Sequence, residues 1–283
     1  MKIDLLNVGI QGVVASFHDV AARKYFPGVP IQPAECATFK ILCEKLQRDE
    51  TPFAMMAIEN TIAGSILTNY SLLERYHFQI VGEVYLRIEL HLMALPGQRL
   101  DEIEFVQSHP MAHLQCETFL AAHAHLKPIE TTDTAESAKN ISEQRLRKHA
   151  AIASALAAET YGLEVLAAGI ETNKQNYTRF LVISKKASSE NVENNNKASV
   201  RFETKNEPGS LVRVLESFSK NGVNMTKIQS VPMLGKPYQY AMHADIEWTD
   251  RRDYLRAIQD LETSASNLLH FGEYQKGEVP FQS

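Results

Sequence analysis

The stretch Ser184–Lys197 reads Ser-Lys-Lys-Ala-Ser-Ser-Glu-Asn-Val-Glu-Asn-Asn-Asn-Lys and decides how this chain is organised. It contains no aromatic residue and no apolar periodicity, so it cannot bury much of itself. We therefore predict a linker over residues 185–197, between a larger domain at 1–184 and a smaller domain at 198–275, with a tail at 276–283. A chain of 283 residues suits one large and one small domain.

The composition indicates a globular protein with real cores. Hydrophobic residues make up 44% and charged residues 22%. The formal net charge of -5 and the short basic run Arg145–Lys148, typical of a solvated helix end, predict no nucleic-acid partner. No apolar run approaches the ~18 residues of a membrane span, and Met1–Asp4 lacks a signal-peptide pattern. The three cysteines, Cys36, Cys43 and Cys116, fit free thiols, so we expect a cytoplasmic protein.

Short apolar runs alternate with helical patterns before the linker. Strands are predicted over 3–10, 54–58, 104–107, 150–153 and 179–184, and helices over 16–25, 65–76, 111–123, 133–144 and 155–161. This alternation predicts an α/β domain of parallel sheets covered by helices. The long apolar stretch Ile80–Leu95 suits a crossover between two lobes, and a second crossover is expected near 170–180. Ligands then collect at the carboxyl ends of the strands, near the loops that follow residues 10, 58, 107 and 168.

The order after the linker is β-α-β-β-α-β. Val200 and Phe202 alternate with polar residues, and residues 211–218 show helical spacing that Gly222 ends. Residues 223–231, 238–248 and 268–274 read as strands, and 254–261 as the second helix. This is the order of a ferredoxin-like α+β sandwich. Its second sheet face or an edge is expected to be free for pairing with another copy.

Three polar segments stand at predicted strand ends. Glu59-Asn60-Thr61 follows an apolar strand, and Ser65 is expected to cap the next helix, whose N-terminus can also seat a carboxylate. Ser108-His109-Pro110 repeats this arrangement, with Gln115 in the helix. Asn176-Tyr177-Thr178-Arg179-Phe180 leads from a polar loop into the last strand of the large domain.

A metal site is not expected. His109 and His113 are spaced as a pair on one helix face, but no third histidine, glutamate or cysteine completes a ligand set nearby.

Taken together, these segments resemble the prephenate dehydratase family, in order and over essentially the whole chain. The family's Glu-Asn-Ser turn corresponds to Glu59-Asn60-Thr61, and its Ser-His-Pro…Gln-Cys helix entry to Ser108–Pro110 and Gln115-Cys116. Its Thr-Arg-Phe signature corresponds to Thr178-Arg179-Phe180, and a Thr-Ala-rich helix start to Thr134-Ala135. The resemblance implies a two-lobed cleft domain of the type II periplasmic-binding-protein kind.

The first loop departs from the family pattern Gly-Pro-x-Gly-Thr-Phe-Ser. Here it reads Gly12-Val13-Val14-Ala15-Ser16-Phe17-His18. Ala15 stands in place of a glycine that permits a close backbone approach. Ser16 keeps a hydroxyl, and His18 is a titratable group where a small hydroxyl is common.

The C-terminal domain resembles an ACT domain, the amino-acid-sensing module of most members. The family's Gly-Ala-Leu-Val segment corresponds to Gly209-Ser210-Leu211-Val212, and its Glu-Ser-Arg-Pro segment to Gln229-Ser230-Val231-Pro232, so both charged residues are replaced. The resemblance implies a phenylalanine site formed by Gly209, Ser210, Leu211, Val212, Gln229, Ser230 and Pro232. It also implies a homodimer or homotetramer.

The activity that the resemblance implies is the conversion of prephenate to phenylpyruvate, carbon dioxide and water, without a cofactor or a metal. Thr178 is expected to hydrogen-bond or protonate the departing hydroxyl. Glu59 either relays a proton or is a structural partner of Arg179. The other expected roles fall to Asn60, Ser108 and Gln115 (orientation) and to Ser16, Thr61, Ser65, Arg179 and Phe180 (substrate binding). Arogenate dehydratase and a catalytically weak phenylalanine sensor are the alternatives.

Overall fold

A computed structural model describes residues 5–187, 192–233, 235–278 and 280. The chain divides into two compact units. One contains the residues up to Ile66 together with Val84–Phe180, and the other contains Leu67–Glu83 together with the residues from Leu181 onward.

The first sheet combines five strands from the start of the chain with β11 (Tyr177–Ser184), in the order β2-β1-β3-β11-β5, with the short β4 paired to β3. Strands β1 and β2 are parallel, as are β1 and β3, while β4 is antiparallel to β3. The elements up to the end of this lobe are β1 (Leu6–Gln11), α1 (Phe17–Tyr25), β2 (Ile31–Cys36), α2 (Phe39–Gln47), β3 (Phe53–Asn60), β4 (Gly64–Ser65), α3 (Leu67–Tyr76) and β5 (Gln79–Arg87).

The second sheet has strand order β10-β6-β9-β7-β8. It is built from β6 (His91–Ala94), β7 (Phe105–Ser108), α4 (Pro110–Gln115), α5 (Glu117–Ala122), β8 (Lys127–Glu130), α6 (Thr134–Glu143), β9 (His149–Ala153), α7 (Ala155–Tyr161) and β10 (Glu164–Ala167). Alanines of β9, α6 and α7 pack on one face of this sheet, and larger apolar side chains cover the other. The predicted parallel pairing occurs between β7 and β8 and between β7 and β9, but the sheet is mixed, because β6 is antiparallel to both β9 and β10.

Two segments of the chain connect the first sheet to the second. One is the short segment between β5 and β6, and the other joins β10 to β11 (Tyr177–Ser184). They are hydrogen-bonded to each other: Ile88 N donates to Asn176 O at 2.8 Å, and Ile170 N donates to Leu90 O at 2.7 Å. The buried Glu171 accepts from Leu90 N at 2.9 Å and adds a side-chain link between them.

The C-terminal elements follow the predicted β-α-β-β-α-β order. They are β12 (Lys197–Glu203), α8 (Ser210–Ser219), β13 (Asn224–Pro232), β14 (Tyr240–Glu247), α9 (Arg251–Ser264) and β15 (Ser266–Tyr274), in the antiparallel order β13-β14-β12-β15. Apolar residues of both helices pack on one face of the sheet, around Phe202, Phe218, Trp248 and Tyr254.

The second face of this sheet is not free, which corrects the expectation above. Residues of the same compact unit, from α3 and the start of β5, lie against it. Tyr70 stacks edge-on to His243 with ring centres 4.8 Å apart, and Glu74 pairs with Arg201 at 3.3 Å. Glu83 pairs with Lys197 at 3.0 Å, and both of these side chains are buried. The edge strand β13 keeps alternating exposed residues.

Several predicted boundaries shift. Ser65 does not cap a helix; it pairs with Glu59 in β4, and α3 begins at Leu67. The single helix predicted over 111–123 is two helices that meet at Cys116. The linker predicted over 185–197 runs one residue too far, because the buried Lys197 already belongs to β12.

Parts of other predictions lie outside the described residues: 3–4 of the first strand, 188–191 of the linker, and 279 and 281–283 of the tail. No helix within the described chain is long and apolar enough to cross a membrane.

Candidate active site

A cavity of about 270 Å³ opens at the carboxyl ends of β1, β3, β7 and β8, and β11 contributes from its first residues. The predicted loops after residues 10, 58 and 107 face it, whereas the predicted loop after residue 168 does not line it and the loop after β8 takes part instead. The lining residues are Gln11, Ser16, Phe17, His18, Ala57, Asn60, Ala63, Ile66, Ile88, Leu90, His109, Met111, Ala112, Gln115, Thr132, Asp133, Thr134, Thr178 and Phe180.

The side chain of Asn60 is fixed by backbone hydrogen bonds at the end of β3. Its Oδ1 accepts from Ile62 N and Ala63 N, each at 2.9 Å. Backbone N–H groups only donate, so these contacts set which end of the amide is the oxygen. Asn60 Nδ2 must then face the start of β11, where it lies 2.9 Å from Thr178 Oγ1, 2.8 Å from Asn176 Oδ1 and 3.1 Å from Tyr177 O.

The same reasoning orients two further amides. Asn176 Oδ1 accepts from Asn60, so Asn176 Nδ2 is the donor to Gln115 Oε1 at 3.0 Å. Gln115 uses its oxygen in this contact, and its Nε2 is left on the side of the cavity that Gln115 lines. The backbone N–H groups of Ile62 and Ala63 thus fix the orientation of Asn60, and Asn60 in turn fixes that of Asn176 and Gln115. The result is that Gln115 Nε2, with its two hydrogens, is the donor group at the cavity wall.

Thr178 stands at the centre of this network and is 9% exposed. Its Oγ1 accepts a hydrogen bond from Asn60, and within the described residues its hydroxyl hydrogen has no acceptor. A threonine hydroxyl has one donor and two acceptor sites. The hydrogen is therefore available to a ligand in the cavity.

Glu59 and Arg179 form an ion pair on the far side of the two strands that carry Asn60 and Thr178. Arg179 Nη1 lies 3.3 Å from Glu59 Oε1, and the Arg179 guanidinium lies 5.9 Å from the centre of the Tyr85 ring. The Arg179 side chain is 3% exposed, whereas that of Glu59 is 30% exposed. Of the two alternatives for Glu59, the geometry favours the structural partner of Arg179, because neither residue lines the cavity.

The first loop contains Ala15, which is buried and does not line the cavity, and Ser16, which does. Ala15 adopts φ of 66°, the left-handed conformation that a glycine would take without strain. Ser16 caps α1 without a side-chain cap hydrogen bond; its hydroxyl lies 3.3 Å from Gln11 O.

The ring of His18 contacts Phe39 and Phe180 edge-on, with ring centres 5.4 and 5.0 Å away. Burial lowers the pKa of His18 to about 3, so the ring is neutral at ordinary pH. Its Nε2 is buried without a hydrogen-bond partner in the described chain.

Asp133 and His109 line the cavity from the side of the second sheet, and each of them caps the start of a helix. Asp133 Oδ1 accepts from Glu136 N at 3.0 Å, and His109 Nδ1 accepts from Met111 N at 3.1 Å. Burial raises the pKa of the Asp133 carboxyl, and the backbone N–H groups of Glu136 and Ala135 oppose this shift. Within the described residues no group of three metal-ligating side chains occurs.

Comparison with known proteins identifies the family. Residues 8–188 match the family model described as prephenate dehydratase, which covers more than half of the chain. The chain belongs to the prephenate dehydratase family. It is 34% identical over 264 residues to arogenate dehydratase 1 of Petunia hybrida, which covers 93% of this chain but only 61% of the petunia protein. The chain therefore spans less than two thirds of that relative.

Two solved structures share the fold over nearly the whole chain. GqqA, described as a novel type of quorum quenching acylase, has a TM-score of 0.87 and 29% identity and covers 98% of this chain and 100% of its own. Prephenate dehydratase from Arthrobacter aurescens in complex with L-Phe has a TM-score of 0.84 and 26% identity, with 95% and 90% covered.

The sequence motifs of this prephenate dehydratase family member do not all reach the cavity. The cavity lining includes Asn60, Gln115, Thr178, Ser16 and Phe180. It does not include Ser108, whose hydroxyl donates to Ile152 O at 2.7 Å in a fully buried position. Glu59, Arg179, Thr61 and Ser65 are also outside the lining. Thr61 supports it from behind, because its hydroxyl donates to Gln175 O at 2.9 Å.

Sequence reasoning did not single out several polar residues that line the cavity, among them His109 and Asp133, or Asn176, which links Asn60 to Gln115 behind it. Each had a signal. Asp133 follows a strand and precedes a helix with Glu at the third helical position, a pattern typical of a helix cap at a strand's carboxyl end. His109 and Asn176 belong to the segments that carried the resemblance. Neither the role of a histidine as a helix N-cap nor that of an amide that links two other amides produces a recognisable sequence pattern.

Proposed function

We propose that this protein catalyses the decarboxylating dehydration of prephenate to phenylpyruvate, as a step in phenylalanine biosynthesis. The observation that carries the proposal is the Thr178 hydroxyl, held by Asn60 in a cavity whose other polar side chains are mostly neutral hydrogen-bonding groups. Membership in the prephenate dehydratase family supports it.

The reaction has a simple balance. The bond between the ring and its carboxylate breaks, and its electron pair enters the ring as carbon dioxide leaves. Aromatisation expels the hydroxyl opposite, which takes up a proton and departs as water. A protein needs no nucleophile for this; it must orient the substrate and help the hydroxyl leave.

Thr178 is the proposed donor to that hydroxyl, and a proton from solvent restores the Thr178 hydroxyl after the transfer. Its hydrogen faces no other acceptor in the described residues, and the Asn60 N–H that it accepts would also stabilise negative charge developing on Oγ1. A hydrogen bond donated to the Thr178 oxygen stabilises its negatively charged form, so Asn60 makes Thr178 a better acid while the proton is transferred.

The substrate's carboxylates would be held without basic side chains, because no lysine or arginine is among the described lining residues. Gln115 Nε2 offers one pair of donors. The start of α1 offers backbone N–H groups, since Ser16 leaves them without a side-chain cap.

The direct test is turnover of purified protein with prephenate, followed by phenylpyruvate formation. Robust turnover that is lost in Thr178→Ala supports the proposal. Phenylalanine binding without turnover of any substrate would favour the sensor alternative instead.

Arogenate, which carries an amino group in place of the keto group, is the second candidate substrate. The petunia relative named arogenate dehydratase favours it. Acylase chemistry, as named for GqqA, is less well supported by this site. An acyl-transfer nucleophile needs a hydrogen-bonded base, and the partner of Thr178 in the described chain is the amide donor of Asn60.

We further propose that the C-terminal domain is an ACT domain that binds phenylalanine and inhibits the enzyme. The Arthrobacter relative was solved with L-Phe, and the ferredoxin-like order of this domain fits. The proposed site lies where α8 begins at Gly209, which has φ of 82°, and along β13, which packs beside α8. Val212 is 56% exposed, as expected of a residue that another copy or a ligand covers.

The contacts of α3 offer a route for this inhibition. The helix starts directly after the Asn60–Ile66 turn that borders the cavity, and its Tyr70 and Glu74 hold His243 and Arg201 of the ACT-like sheet. L-Phe should lower turnover and D-Phe should not. Arg201→Met should weaken this inhibition, and equal effects of both enantiomers would contradict the proposed site.

We also propose a homodimer or homotetramer that pairs through the exposed edge strand β13, where Ile228 is 43% exposed. Light scattering on Ile228→Lys would report a loss of pairing. A reducing, cytoplasmic setting is proposed from the three buried cysteines, none of which is in a disulfide.

A further inference from the structure

Few of the side chains that line the cavity can carry a charge, and Asp133 is the only carboxyl group among the described ones. Among its described lining residues the titratable side chains are His18, His109 and Asp133, with no lysine or arginine. His18 is neutral because it is buried. His109 is engaged at Nδ1, which accepts a hydrogen bond from Met111 N at 3.1 Å. Asp133 is the carboxyl group that remains.

Asp133 is held against the cavity wall by two features. Its Oδ1 caps α6 by accepting from Glu136 N at 3.0 Å. Its Oδ2 faces Gly12, which has φ of 91°, and a Cβ at that position would lie only 2.5 Å from Oδ2. Glycine at position 12 therefore permits the carboxyl to lie where it does, at the end of β1 beside Gln11.

The capping contact also decides what the start of α6 can bind. The free backbone N–H groups of a helix N-terminus are a natural seat for a carboxylate. At α6 the Asp133 carboxyl already accepts from one of these N–H groups, that of Glu136, and its own charge opposes a substrate carboxylate there. The start of α1 has no side-chain cap and remains able to accept one.

The two candidate substrates differ only in one group of the side chain, and that group decides whether a nearby carboxylate attracts or repels the substrate. Prephenate and arogenate share the ring, the leaving hydroxyl and both carboxylates. Prephenate has a keto oxygen on its side chain, which is a hydrogen-bond acceptor. Arogenate has an ammonium group there, which is a cation and a donor.

We propose that Asp133 is the specificity-determining residue of the cleft, and that its carboxylate pairs with the side-chain ammonium of arogenate. The same carboxylate repels the keto oxygen that prephenate carries in place of that ammonium group. This assignment rests on the proposed dehydratase function and refines it, since the same Thr178 chemistry serves both substrates. The cavity then favours the amino form.

The test compares kcat/KM for the two substrates in Asp133→Asn. Asparagine caps a helix as well as aspartate does, so this change removes the charge and keeps the cap. Glu136→Gln is the matched control, because Glu136 is in the first turn of the same helix but outside the cavity lining. Asp133→Ser, which also caps, guards against a folding defect in the first variant, and circular dichroism checks all three.

The unaltered protein should prefer arogenate, and Asp133→Asn should lower the arogenate-to-prephenate ratio by at least ~10-fold, mainly through a higher KM for arogenate. Asp133→Ser should lower the ratio similarly, and Glu136→Gln should leave it unchanged. An unchanged ratio in both Asp133 variants, or a preference of the unaltered protein for prephenate, would overturn the assignment alone. Turnover of neither substrate would overturn the proposed function, and this assignment with it.

Discussion

Asn60 Nδ2 donates a hydrogen bond to Thr178 Oγ1 across 2.9 Å, and its direction is set by Ile62 and Ala63, whose backbone N–H groups occupy Asn60 Oδ1. The direction matters more than the distance. A donor on Oγ1 leaves the threonine hydrogen for the substrate and stabilises the oxygen once the hydrogen has moved.

Asn60→Asp should reverse this arrangement with almost no change in shape. The new carboxylate still accepts from Ile62 and Ala63, but its second oxygen would accept the Thr178 hydrogen. We expect kcat to fall by about 100-fold with a smaller effect on KM. Steady-state kinetics check this, and a kcat within about threefold of the unaltered protein would show that the direction of the bond is unimportant.

Glu59→Gln separates the two alternatives for Glu59. If Glu59 is a structural partner of the buried Arg179, removal of its charge should lower the free energy of unfolding by about 1–3 kcal/mol. The partial exposure of Glu59 keeps the expected effect at the low end of this range. Turnover should fall by less than about 10-fold, well short of the loss of a proton-transfer group. Denaturant unfolding and kinetics are measured together. A large loss of kcat at unchanged stability would restore the proton relay.

Ala15 should tolerate glycine but not valine. Its φ of 66° destabilises the folded state by roughly 1–2 kcal/mol for an L-residue, and glycine would remove this strain. Glycine would also lose the buried methyl group, which stabilises the fold by about 0.8 kcal/mol, and would lose about 0.5–1 kcal/mol more in backbone entropy on folding. Ala15→Gly should therefore change the free energy of unfolding by less than about 1 kcal/mol. Ala15→Val, β-branched in the same conformation, should cost more than about 2 kcal/mol. Equal stability of the two variants would contradict the strained conformation.

The buried His18 should make the protein sensitive to acid. Its pKa is about 3 in the folded state and near 6.5 in an unfolded chain, so only the unfolded state takes up this proton between those values. The stability contribution is complete above pH 6.5 and is lost as the pH falls towards 3. His18→Phe should shift the midpoint of acid unfolding to lower pH, whereas His270→Gln, at an exposed histidine, should not. An unchanged midpoint in His18→Phe would contradict the buried neutral ring.

Much of the fold and the centre of the site were readable from the sequence. The β-α-β-β-α-β order was confirmed, and Asn60, Gln115 and Thr178 do meet at one cavity. They were readable because strand ends and helix starts concentrate ligand-binding groups at one edge of an α/β sheet.

Other features depended on partners that are distant in the chain. His243, Asp245 and Arg201 are polar and alternate with apolar residues, which predicts a solvated sheet face, yet all three are buried. Their cover is α3, more than a hundred residues earlier, whose Tyr70 and Glu74 are matched to His243 and Arg201. Period-two alternation cannot distinguish water from a polar partner. Ser65 was misassigned for a related reason, since its pairing with Glu59 competes with helix capping.

The central claim is that the Thr178 hydroxyl drives departure of the substrate hydroxyl, and kcat of Thr178→Ala beside Thr178→Ser tests it most directly. With whichever of prephenate and arogenate the unaltered protein turns over, Thr178→Ala should lose at least ~100-fold in kcat, while Thr178→Ser, which keeps a hydroxyl, should stay within about 10-fold. A folded Thr178→Ala protein with near-normal kcat would contradict the account.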